Sequence, residues 1–132
     1  MEAAQRFLEA KERYRLPVDS VYWAKATAHA FLMLIQEECA EVAKPEWWSD
    51  EGLKALSVRV VRAAPDDAEA NRVRAIVLSG LGRGLEAGPR SAAELREAAA
   101  HFDRTAALEP APAAKADFAD CAAACRSKAG AM

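Results

Sequence analysis

The sequence predicts an all-α protein of about six helices arranged as antiparallel pairs. Three observations carry this. Alanine supplies much of a 52% hydrophobic share, and it is the strongest helix former. β-branched residues, which favour strands, are few outside the stretch from Val58 to Val61. Apolar residues also recur at spacings of three and four within segments that proline or glycine interrupts. The 132 residues form one expected domain, 1–132, large enough to bury roughly two-thirds of its unfolded surface without metals or disulfides.

The first predicted helix runs from Glu2 to Arg15, with Ala3, Phe7, Ala10 and Tyr14 on one stripe, and Leu16-Pro17 ends it. Asp19 or Ser20 caps a long second helix that reaches about Ala43. Its stripe is Ala24, Ala28, Phe31, Ile35, Cys39 and Val42, widened by Leu32, Met33 and Leu34, so neighbours are expected on more than one side. Pro45 breaks the pattern. Ser49 or Asp50 then caps a third helix reaching Ala64, with Leu53, Leu56, Val60 and Ala64 inward, and Pro65 stops it.

Asp66 or Asp67 caps the fourth helix, whose stripe is Ala70, Val73, Val77 and Leu81, and the glycines at 80, 82, 84 and 88 end it. Ser91 to Glu94, read SAAE, is a capping box: serine hydroxyl and glutamate satisfy each other's free amides in a new first turn. That fifth helix turns Leu95, Ala98, Phe102 and Ala106 inward and stops at Pro110. The sixth runs from Pro112 to about Lys128 with Ala114, Phe118, Cys121 and Cys125 on its face and Gly130 as terminator.

Charge and composition remove several function classes. A net charge of −2 and a pI near 5.7 argue against general nucleic-acid binding, which needs a concentrated basic footprint. The middle of the chain is nevertheless basic: residues 1–51, 52–90 and 91–132 carry −4, +3 and −1. Arg59, Arg62, Arg72, Arg74, Arg83 and Arg90 supply that charge and read as a solvated helical face. The apolar run from Ala28 to Ile35 is too short for a membrane span. The cysteines Cys39, Cys121 and Cys125 form an odd set without a signal-peptide pattern, so a reducing, cytoplasmic setting is expected.

No catalytic signature is present: P-loop, GxSxG, HExxH and dinucleotide patterns are missing, so no enzyme, no cofactor and no metal are expected. Cys121 and Cys125, one turn apart, could hold a soft metal with His101 or Cys39, but their place on the Phe118 stripe reads as small core residues. His29 and His101 read as packed histidines, and Glu37, Glu38, Glu41 and Glu46 as a solvated face.

Pro65 and Pro110 each close an apolar helix and stand 45 residues apart, longer than the 34 of the tetratricopeptide repeat by about the length of the Gly80–Gly88 insertion. The fifth helix carries Ala98, Phe102, Leu108 and Pro110, the AxxxF-to-proline spacing of the second helix of that repeat. Over residues 20–128 the chain therefore resembles the tetratricopeptide repeat family. In this register Ala75 fills the small crossing position and Leu78 an aromatic one, while Asn71 and Arg74 occupy sites usually filled by bulky apolar residues. The third helix matches through Pro65, with Leu53 and Ser57 in place of the alanine and aromatic.

The resemblance implies helix pairs at about 20–64 and 66–110, a capping helix at 112–128 and an extra N-terminal helix at 2–15. The implied architecture is a short superhelix of stacked pairs, and the alternative is a closed helical bundle. The implied function is an adaptor that binds a partner peptide or helix along the first helices of the pairs. There the fourth helix would present Glu69, Arg72, Ile76 and Ser79. A guanidinium pairs bidentately with a carboxylate, so an acidic peptide is the expected ligand at Arg72. Trp47 and Trp48 sit together in a turn, where one can staple the helices and the other can anchor a partner. The bundle alternative would self-associate, for instance as a homodimer, or bind a small apolar ligand through Ala28 to Ile35.

Overall fold

A computed structural model describes residues 17–36, 48–80 and 88–132. Among them stand five helices and no strand: α1 Val21–Gln36, α2 Asp50–Ala63, α3 Ala68–Ser79, α4 Ala92–Leu108 and α5 Pro112–Gly130. The expected helix at 2–15, the extension from 37 to Ala43, Cys39, Trp47, Leu81 and Arg83 lie outside the described residues. No helix among them is long and apolar enough to cross a membrane.

The starts of α1 to α4 are each made by a side chain that satisfies a free amide. Ser20 Oγ accepts from Trp23 N at 3.1 Å, Ser49 Oγ from Gly52 N at 3.0 Å and Asp67 Oδ2 from Ala70 N at 3.0 Å. Ser91 and Glu94 form the reciprocal capping box. α5 has no side-chain cap and starts on Pro112, which lacks the donor a first turn would leave unpaired. Gly80, at φ 70°, closes α3 in the left-handed conformation that glycine adopts without steric cost.

Successive helices run in opposite directions. Asp19, before α1, pairs with Arg59 near the end of α2, while Phe31 late in α1 stacks on Trp48 just before α2. Arg90 bridges Asp50 at the start of α2 and Val77 O near the end of α3, and α3 and α4 meet head to tail through Arg104 and Asp66. α4 and α5 do likewise through Lys115 Nζ and Ala106 O, and Arg126 adds a pair with Asp103.

The core has two parts that share α3. Trp23, Ala24, Ala28, Phe31 and Leu32 of α1 meet Leu53 and Val60 of α2 and Ala70, Val73 and Val77 of α3. On the other side Ala75 and Leu78 meet Ala98, Ala99 and Phe102 of α4 and Ala122 and Cys125 of α5. Half-buried Ile76 packs on both. The described parts of the inward stripes of α1 to α3 follow the expected spacing, and in α4 Thr105 is buried where Ala106 was expected. In α5 Cys125 is buried and Phe118 and Cys121 pack on the core as expected, with Ala122 and Ala129 buried beside them. An alanine-rich helix has little hydrophobic contrast around its circumference, so the apolar count alone does not orient it.

Candidate functional site

The basic middle of the chain is not one solvated face, contrary to expectation. Arg74 and Arg90 are internal. Arg74 donates from Nε to Glu97 at 3.0 Å and from Nη1 to Lys54 O and Ser57 Oγ, both at 3.0 Å. Arg90, with its side chain 4% exposed, donates to both oxygens of Asp50 at 3.0 and 2.6 Å and to Val77 O at 2.8 Å. The Arg90 fork holds the Asp50 carboxyl below its ordinary range, with Gly88 N and Lys54 acting the same way and burial opposing them. These guanidiniums tie the start of α2 to the end of α3 and the start of α4. Local sequence does not show such pairing, because the partners stand 23 and 40 residues away.

Asn71 is buried as well. Its Nδ2 donates to Pro65 O and Asp67 O at 3.0 and 2.9 Å, which leaves Oδ1 as acceptor. His101 Nδ1, 3.0 Å from that oxygen, must therefore carry the proton. Burial lowers the His101 pKa, Arg74 adds to that, and Glu97 opposes it. The departures from repeat grammar at positions 71 and 74 are thus polar joints between helices.

Glu69, Arg72 and Ile76 lie along α3 where it faces α1 and α5. Glu69 Oε2 accepts from His29 Nδ1 of α1 at 3.0 Å. The guanidinium of Arg72 sits 5.4 Å over the ring of Phe118 of α5, a cation–π contact. Ser79 is buried, and its hydroxyl donates to Ile76 O at 2.9 Å. Trp48 is half-buried and stacks on Phe31 with ring centroids 5.2 Å apart, which is the staple role rather than a projecting anchor.

Among the described arginines, Arg59, Arg74, Arg90, Arg104 and Arg126 each meet a carboxylate. Arg72 lies over Phe118 and near Cys121, and its forked donors have no acidic partner among the described residues. Phe118 is 46 positions further along the chain, and nothing in the local pattern links the two.

Two surface grooves meet at Ala63. One, of about 270 Å³, is lined by Asp19, Arg59, Arg62 and Ala63. The other, of about 260 Å³, is lined by Val21, Lys25 and the turn from Ala63 to Asp67. Arg59 donates to Asp19 Oδ1 and Oδ2, both at 3.1 Å, and lies 5.4 Å over the ring of buried Trp23. This constellation escaped the sequence reading, which treated Asp19 only as a cap. Cys121 and Cys125 are free thiols whose pKa values are raised, first by burial, which disfavours the nucleophilic thiolate.

Comparisons with protein-family models, with curated proteins and with solved structures find no match to this chain.

Proposed function

We propose that the chain is a non-enzymatic protein-interaction module, a short stack of tetratricopeptide-like helix pairs that takes an acidic peptide across the face formed by α1, α3 and α5. The pairs are α1 with α2 and α3 with α4, and α5 caps the second. The opposite running of successive helices supports this reading, as does the contact of α3 with α1 at His29–Glu69 and with α5 at Arg72–Phe118. Fully buried Ala75 and Ala98 in one cluster supply the small residues that close helix crossing needs.

The observation that carries the proposal is Arg72. Phe118 holds its guanidinium in place, and its donors have no carboxylate partner among the described residues. A carboxylate arriving there finds a pre-ordered fork, which lowers the ordering cost of a bidentate pair. Glu69 and Ile76 flank this point, while Ser79 lies beneath the surface. The self-association alternative needs an accessible Ala28 to Ile35, yet Ala28, Ala30, Phe31, Leu32 and Leu34 are buried within the chain.

Peptide display against the purified protein tests the reading. Selected sequences should be rich in Asp and Glu, and Arg72→Glu should weaken them by about tenfold or more, the scale of a lost charge-assisted pair. Selected peptides that bind Arg72→Glu as tightly as the parent would remove the site.

A further inference from the structure

We propose that the groove between the start of α1 and the last turn of α2 is a site for a phosphate monoester, occupied in the free protein by the carboxylate of Asp19. This site is separate from the Arg72 face. The groove holds about 270 Å³ and is lined by Asp19, Arg59, Arg62 and Ala63, leaving two guanidiniums against one carboxylate. Arg59 is aimed by the Trp23 ring under it and by its two bonds to Asp19. Arg62, one helical turn from Arg59, is exposed and has no acidic partner among the described residues.

Asp19 lines this groove from the turn that precedes α1, closed by Ser20 N donating to Pro17 O at 3.0 Å. It is the one non-glycine residue among those described with positive φ, at 67°, a conformation in which Cβ crowds the following carbonyl. Its pair with Arg59 is open to water, the side chains being 56% and 48% exposed, and exposed pairs hold weakly. Release of the Asp19 carboxylate from Arg59 therefore loses little. A dianion that enters matches both guanidiniums, and its oxygens suit their fork geometry. A monoanionic carboxylate would only replace Asp19, with Arg62 still unmatched. Charge balance thus selects the phosphate monoester.

Titration of the full chain with inorganic phosphate at constant ionic strength, followed by NMR at backbone amides and arginine Nε–H groups, tests this. Saturable shifts are expected at Asp19, Arg59 and Arg62, with none at Arg104 or Arg126. Asp19→Asn keeps a side chain that tolerates positive φ and removes the competing charge; it should tighten phosphate by about fivefold, and Arg62→Gln should weaken it by about as much. Arg72→Glu should leave it unchanged, so the site stands or falls apart from the peptide reading. Phosphoserine and adenosine monophosphate, compared in the same way, distinguish a peptide from a nucleotide source. Acetate that binds as well as phosphate, an Asp19→Asn variant with unaltered affinity, or shifts spread evenly over the basic surface would overturn the proposal.

Discussion

Where α1 and α2 meet α3, the buried surface sets Trp23, Phe31, Leu32, Leu53, Val60, Val73 and Val77 among Ala24, Ala28, Ala64 and Ala70. Where α4 and α5 close on the other side of the same helix, it is Ala75, Ala98, Ala99 and Ala122 with Leu78, Phe102 and Cys125. Large side chains fill a wide seam, and alanines let backbones approach until little volume is left to fill. One twelve-residue helix, α3, carries both solutions, and only the strip with Glu69, Arg72 and Ile76 keeps access to solvent. α3 is the most surrounded helix of the fold, and α1, whose broad apolar run calls for neighbours on more than one side, packs on both α2 and α3.

The two seams should therefore fail in opposite ways. Phe31→Ala should cost about 3–5 kcal/mol through a cavity that stiff neighbours cannot collapse. Urea unfolding checks this, and a loss near zero would mean that the wide seam is not closely packed. Ala98→Leu should cost about 1–3 kcal/mol by overpacking; if it is neutral or stabilising in the same assay, the close approach of α3 and α4 is wrong. The smallest effect lies at the polar joint between these seams.

There His101 faces Asn71 and Arg74 of α3 and Glu97 of its own helix, and its pKa lies below the ordinary 6.5. The unfolded chain then takes up the proton first, so this contribution is whole above about pH 6.5 and is lost as pH falls through the lower folded value. Urea midpoints taken at about pH 7.5 and 5.5 should differ less in His101→Gln than in the parent. An equal pH slope in both would show that other groups drive it.

Helix boundaries were legible because they are written locally. Ser49, Asp67, Ser91, Pro65, Pro110 and Gly80 act on amides or carbonyls within four residues, and spacing alone reveals them. Ser20 serves as expected, while Asp19 turns from the helix toward Arg59. The candidate site was legible in part. Arg72 could be picked out by register, but its seat on Phe118 joins segments far apart in sequence, and so do the pairs that bury Arg74 and Arg90. Charge counts could not separate an arginine that faces water from one that holds two helices together. In α5 the spacing of Phe118, Cys121 and Cys125 showed the inner face, while Ala122 and Ala129 could not be told from the other alanines of the helix.

Arg74 engages Lys54 O, Ser57 and Glu97 at once, and Asn71 binds Pro65 O, Asp67 O and His101. Each set of partners exists at a single junction. Uniform helical arrays lengthen by copying a unit whose two faces fit any neighbour. Here every helix instead carries an address that only its own neighbour can read. A duplicated α3–α4 pair would keep Glu97 for its second Arg74 but set it against a helix lacking Ser57, leaving Nη1 without the acceptors α2 supplies. Length in this chain is therefore fixed by its polar contacts, and growth would require rewriting them first.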